Sequence, residues 1–227
     1  MKITFISDTH TKHELLDLPG GDVLIHAGDL MNSGYVKQDI IDFVNWFKDQ
    51  PYKHKIFIAG NHDRMFEDLP DIAMNLLKDS ANDEVTYLQD SEIIIDGVKI
   101  YGSPWQPEFH RWAFNLPRCG EDLENKWKDI PEDVDILITH GPSQGNLDIS
   151  GAPYNEPNLG CELLRVRVDE IKPKIHTFGH IHGSSGYKTN GDTHFINASI
   201  LGEDYNQICN GYTIEWNPST NEIEFEQ

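Results

Sequence analysis

Lys55-Ile56-Phe57-Ile58-Ala59-Gly60-Asn61-His62-Asp63 decides the fold. An apolar run of strand length stops at a glycine, and the next three side chains carry an amide, an imidazole and a carboxylate. The arrangement recurs in order along the chain. Asp8-Thr9-His10 follows residues 2–7, and Gly28-Asp29 follows 22–27. Thr139-His140-Gly141-Pro142 closes 135–139, and Gly179-His180-Ile181-His182 follows 174–178. Near-continuous apolar runs of this length suit strands covered on both faces. Polar groups at successive strand exits gather at one edge of the sheets, where an α/β site lies.

Outward from these exits, 194–197 reads as a further strand. A helix is predicted over 36–49, with Ile40, Ile41, Phe43, Val44 and Phe47 on its buried stripe and Pro51 ending it. Helices are also predicted over 72–77 and over 161–171, the latter stopped by Pro173. Runs 93–95 and 98–101 flank Asp96-Gly97, a two-residue hairpin signal. Runs 212–216 and 222–225 flank 217–221. The fold class is therefore α/β of the α+β type: a β-sandwich of two mixed sheets flanked by α-helices, in a single domain over 1–227, with the polar site at the strand C-terminal ends. Residues 102–131 read as irregular, and 141–159 as a second long loop.

The chain has 38 acidic and 18 basic residues among 227, a formal charge of -20. That field disfavours long nucleic acid and anionic membranes but leaves room for a small phosphorylated substrate, because bound cations invert the local field. Three widely spaced cysteines, Cys119, Cys161 and Cys209, argue against a disulfide framework and a thiolate zinc site. With no signal peptide or membrane-length apolar run read in the sequence, cytoplasmic residence is the expectation.

Alternate residues of an extended segment share a side, so Asp8 and His10, or His180 and His182, can meet one ion. Asp29 has two oxygens with which to bridge two ions. Asn61 adds a neutral carbonyl and His140 a nitrogen. These oxygen and nitrogen donors accept manganese, iron, zinc, cobalt or nickel, manganese being favoured for assay. Two divalent ions outweigh the two aspartates and leave a positive centre for a phosphate.

The five motifs in this order resemble the calcineurin-like metallophosphoesterases over residues 1–201. The resemblance implies one metal on Asp8, His10, Asp29 and His182, and a second on Asp29, Asn61, His140 and His180. It implies that His62 protonates the leaving oxygen and that Asp63 orients His62. Gly102-Ser103-Pro104-Trp105-Gln106-Pro107, Trp112-Ala113-Phe114-Asn115 and Leu147-Asp148 are similar to the branch of small metallophosphoesterase-domain proteins. That branch implies phosphodiesterase activity, including on cyclic nucleotides, by in-line attack of a hydroxide held by the metals. The alternatives are a phosphomonoesterase acting on nucleotides or other small phosphorylated molecules, and a catalytically inactive metal-binding interaction module. The intact ligand set with His62-Asp63 weighs against the module.

Other residues have plainer readings. Trp105, Arg111 and Trp112 form either a substrate lid or a satellite core, with packing preferred. His13 reads as a surface or structural histidine with the site rim as its alternative, and His26 as a core histidine. Asn32 and Asn146 serve turns or touch phosphate, and Asn197 supports the metal shell without ligating.

Overall fold

Residues two apart on a strand share a face, and the amino-terminal strand uses this to join two layers. Ile3 and Phe5 enter one apolar cluster while Ile6 enters another. A computed structural model describes residues 1–153, 156–220 and 222–226. In chain order the elements are β1 (Lys2–Ile6), β2 (Gly21–His26), α1 (Lys37–Lys48), β3 (Tyr52–Phe57), α2 (Arg64–Asp68), α3 (Pro70–Ala81), β4 (Thr86–Tyr87), β5 (Ser91–Ile95) and β6 (Val98–Ser103). They continue with β7 (Gln106–Pro107), β8 (Asn115–Leu116), α4 (Glu121–Lys128), β9 (Ile136–Thr139), α5 (Glu162–Ile171), β10 (Ile175–Phe178), β11 (Gly186–Thr189), β12 (His194–Asn197), β13 (Tyr212–Asn217) and β14 (Glu222–Phe225).

One sheet runs β14-β13-β1-β2-β3-β4 and the other β11-β12-β10-β9-β6-β5. Each has a parallel centre with antiparallel strands at the edge, so both are mixed. Ile3, Phe5, Val23, Ile25, Ile56, Ile100, Ile136, Ile138, Ile175 and Ile196 fill the space between them. Phe43 and Phe47 of α1, with Leu77 of α3, cover Leu24 and Phe57 on the outer face of the first sheet. Leu123 and Trp127 of α4, with Leu164 and Val168 of α5, cover Leu137, Phe178 and Phe195 on the second. Both apolar faces of each parallel centre are thereby buried, as the apolar runs required.

The structure adjusts several boundaries. Helix α1 stops at Lys48, short of Pro51, and Ile41 is only half-buried on its flank. Helix α3 extends past 72–77 at both ends, with Pro70 in its first turn and Asn82 left-handed at φ 48° beyond its last. Residues 102–131 are not wholly irregular, since they hold α4 and the short β7–β8 pair. Helix α4 buries only Leu123 and Trp127, a stripe too thin to stand out. Its acidic first turn and basic last turn suit the helix dipole. Both predicted hairpins are present as β5–β6 and β13–β14. Asn221, in the second turn, and 154–155, in the 141–159 loop, lie outside the described residues. No described helix is long and apolar enough to cross a membrane.

Candidate metal centre and active site

The chain turns sharply as it leaves the parallel strands. Asp8, His10, Asp29 and His180 all have left-handed φ, at 55°, 40°, 60° and 67°. Each such conformation costs a non-glycine residue roughly 1 kcal/mol or more. Backbone bonds tie the turns together: Asp8 N–H to Gly28 O at 2.9 Å, His10 N–H to Asp29 O at 3.0 Å and Gly179 N–H to His140 O at 2.9 Å. Two glycines are demanded by close approach. A Cβ at Gly60 would overlap the Asp29 carboxylate and amide, and one at Gly179 would overlap the Asp8 carboxylate.

Three histidines are oriented alike. Nδ1 of His10 donates to Met31 O at 3.1 Å, Nδ1 of His140 to Ala27 O at 2.9 Å, and Nδ1 of His182 to Gly202 O at 3.2 Å. A carbonyl only accepts, so each Nδ1 carries hydrogen and each Nε2 is turned toward the carboxylates. His10 Nε2 and His140 Nε2 lie 3.6 and 3.4 Å from the same oxygen, Asp29 Oδ2. His182 Nε2 is 3.4 Å from Asp8 Oδ1, and Asn61 Oδ1 is 3.0 Å from His140 Nε2. His180 is placed differently. Its backbone N–H reaches both Asp8 oxygens at 3.1 Å, and its ring stands edge-on to His140 at 5.1 Å.

The donors fit a divalent cation on an observation independent of likeness. His10 Nε2 is buried and has no hydrogen-bond partner among the described residues. A buried polar atom left unpaired is costly, and a cation would satisfy it. Three overlapping ligand groups converge here: Asp8 with His10 and His182, His10 with Asp29 and His62, and Asp8 with Asp29 and His140. A carbonyl fixing the far nitrogen is the usual support for a ligating histidine. Asp29, Asn61, His10, His180 and His182 line one chamber of about 150 Å³, with Glu203 and Tyr205 on its wall.

In the metal-free chain, protons take over some of these positions. Burial opposes charge on His140, yet the Asp29 carboxylate holds it up to about 9. Burial likewise opposes charge on His182, and Asp8 holds it up to about 9. Burial resists ionisation of both aspartates, but these histidines keep Asp8 and Asp29 below the ordinary carboxylate range. Burial pushes His10 down to about 4 and His180 to about 3. A metal held by His140 and His182 would therefore displace protons.

Asp63 does not orient His62, contrary to the sequence expectation. Its carboxylate is wholly buried and accepts backbone N–H bonds from Gly60 at 2.7 Å, Met31 at 2.8 Å, Asp29 at 2.9 Å and Leu30 at 3.3 Å. The turn before α2 points the carboxylate back at the strand exits, so it braces the backbone carrying Asp29. Burial and the Asp29 charge push Asp63 up to about 7 against these bonds. The partner of His62 Nδ1 is the Asn32 carbonyl at 2.6 Å. The ring stacks on Trp112 at 3.9 Å and meets the edge of His10 at 4.7 Å, and the backbone N–H of His62 donates to Asp29 Oδ1 at 2.7 Å.

The neighbouring readings divide. Trp105 donates to Asp90 Oδ2 at 2.8 Å and lies beneath Lys126, so it packs away from the site, while Trp112 joins the site through His62. Arg111 is exposed and offers its carbonyl to Arg64. His13 is structural, buried against Phe43 and Trp46 and not at the rim. His26 is a satisfied core histidine bonded to Thr9 and Gly28. Asn146 braces Ser143, and Asn197 donates to Ile181 O at 2.8 Å, supporting the turn that bears His182. Glu203 and Tyr205 belong to none of the five motifs, so nothing in the sequence marked them.

Oxygen and nitrogen donors thus converge at the edge of a helix-flanked double sheet as candidate ligands for a divalent metal. The profile of the family described as calcineurin-like phosphoesterase matches residues 1–184, and the chain belongs to this family of metal-dependent phosphoesterases. It is 41% identical over 222 residues to human metallophosphoesterase domain-containing protein 1, covering 89% of this chain and 67% of the relative. A Caenorhabditis elegans protein is 40% identical over 214 residues, covering 88% of this chain and 75% of that one. Among solved structures, Thermus thermophilus TT1561 superposes with a TM-score of 0.63 at 14% identity, covering 99% of this chain and 97% of that one. Mycobacterium tuberculosis phosphopantetheinyl hydrolase gives 0.59 at 15%, covering 88% and 89%. These structural likenesses concern the fold alone.

Proposed function

We propose that the chain is a dinuclear metal-dependent phosphodiesterase. The observation that carries this is the common oxygen, Asp29 Oδ2, faced by Nε2 of both His10 and His140. One metal is assigned to Asp8, His10, Asp29 and His182, and the other to Asp29, Asn61, His140 and His180. When bound, divalent ions supply positive charge for phosphoryl oxygens and bring the acidity of coordinated water toward neutral pH.

The chain's own groups do the rest. His62, held as the Nδ1–H tautomer by Asn32, keeps Nε2 available to carry a proton to the leaving oxygen. Trp112 fixes the plane of that ring. The Asp29 carboxylate accepts the backbone N–H of His62, so one bond ties the residue that carries the proton to the carboxylate both metals would share. Preference for a diester over a monoester is supported by a second, larger chamber that shares Phe109, His180, His182 and Glu203 with the first and has space for a second ester group. Cyclic nucleotides fall within this class. The free thiols of Cys119, Cys161 and Cys209 accord with the reducing cytoplasm, where we place the protein.

Asn61→Ala tests the assignment. It should lower bound metal to about one equivalent and remove most turnover of a generic phosphodiester with manganese. Unchanged metal content with unchanged activity would sink it.

A further inference from the structure

The second chamber has a volume of about 330 Å³ and opens beside His180 and His182. Pro107, Phe109, Pro142, Leu159 and Ile181 give it a mainly apolar wall. Glu108, Glu156 and Glu203 also line it; away from the metal-centre histidines His180 and His182, Arg118 is the one basic side chain facing them among the described residues. That guanidinium is already engaged by Gly160 O, Leu159 O and Glu162. The balance of charge excludes a second phosphate as the preferred occupant and favours a neutral group.

One lining residue carries a polar atom with no partner. Gln106 is 2% exposed, and its Oε1 makes no hydrogen bond among the described residues. The orientation of the amide follows from its neighbours. Asn115 Nδ2 donates to the carbonyls of Phe109 and His110 at 3.1 and 3.2 Å, so Asn115 Oδ1 faces Gln106. Gln106 must present its NH₂ there, at 3.2 Å, and its oxygen is left over. A buried acceptor with both lone pairs unmet lowers affinity for any occupant that brings no donor.

We propose that Gln106 is a specificity-determining residue. Its Oε1 accepts a hydrogen bond from an N–H or O–H on the ester group in the second chamber, and the favoured substrate carries a neutral, mainly apolar ester group bearing that donor. This rests on the phosphoesterase reading of the adjoining metal centre.

The test is calorimetry on the manganese-loaded protein with phenylphosphonates as probes, comparing amino, hydroxy and methyl substituents in meta and para isomers. The methyl compounds match the amino compounds in size but lack the donor. In wild type at least one amino or hydroxy isomer should bind about tenfold tighter than its methyl partner. The substituent that gains distinguishes an N–H from an O–H donor. In Gln106→Met the ratio should fall to about one. Asn115 retains its two carbonyl partners there, so the loop is expected to hold. A ratio near one in wild type, or a wild-type ratio kept in Gln106→Met, overturns the proposal.

Gly141→Ala is the second variant, needed if Gln106→Met fails to fold. Its Cβ would stand 3.9 Å from Gln106 Cβ and from His180 Cδ2, and 4.0 Å from Gln106 Oε1, all ordinary contacts. The added methyl narrows the space in front of the amide, and should weaken the phenylphosphonates while leaving inorganic phosphate unchanged. Equal effects on both overturn the proposal. Turnover of bis-p-nitrophenyl phosphate by wild type is scored separately. Its absence would remove the phosphoesterase reading, whereas the binding ratios alone judge Gln106.

Discussion

His176→Phe should make the protein less sensitive to acid, and the size of the effect follows from one tautomer. Thr139 Oγ1 donates to Gly141 O at 2.7 Å, so its lone pairs face His176 Nε2 at 2.8 Å and that nitrogen must carry the hydrogen. Nδ1 is then a bare, buried lone pair with no partner among the described residues, beside Phe178 and Phe195. Protonation would bury a charge there, and burial pushes the imidazole down from 6.5 to about 3. The unfolded chain, with the ordinary value, binds the proton first as pH falls. The neutral ring's contribution is present above the unfolded pKa and is lost as pH drops from 6.5 toward 3. Near pH 5 the unfolded ring is about 1.5 units below its pKa, which favours unfolding by about 2 kcal/mol. Urea titrations of metal-free wild type and His176→Phe, at about pH 7 and about pH 5, isolate this, because every other histidine is common to both. Wild type should lose about 2 kcal/mol more than the variant. Equal losses would refute the argument.

Two further substitutions probe the active-site roles. His62→Ala should retain metal and slow hydrolysis, with a smaller loss for a p-nitrophenolate leaving group than for an alkoxide; a loss independent of leaving-group basicity counts against the proton-donor role. Asp63→Asn turns an NH₂ toward backbone N–H groups that now share one carboxylate, and should cost about 3 kcal/mol in urea unfolding. A change below about 1 kcal/mol would show that Asp63 is not the brace of the Asp29 turn.

Much of this was legible because strands and their exits obey local rules. Residues 2–7 or 135–139 are apolar over a strand's length and end in groups that cannot stay in a core, so both the sheet and its functional edge could be read together. Helix α1 was readable from its wide stripe of Ile40, Phe43, Val44 and Phe47. Helix α4 was not, because Leu123 and Trp127 alone cover its part of the sheet. The seven proposed ligands come from five separate strand exits and could be named individually. Their supports could not, nor could that of His62, because Met31, Ala27 and Gly202 on the ligands and Asn32 on His62 act through backbone carbonyls. A carbonyl is present at every residue, so no side-chain pattern marks the ones that matter. Asp63 illustrates the same limit: next to His62 in sequence, it faces away because the chain turns between them.

The central claim is two metals bridged by Asp29 and used on a phosphodiester. Metal analysis of the manganese-loaded protein, paired with rates on bis-p-nitrophenyl phosphate and p-nitrophenyl phosphate and with Asp29→Ala as the blank, tests it most directly. The account predicts about two equivalents per chain, a faster diester than monoester rate, and neither full loading nor turnover in Asp29→Ala. One equivalent or none in wild type, or activity that survives in Asp29→Ala, would contradict it.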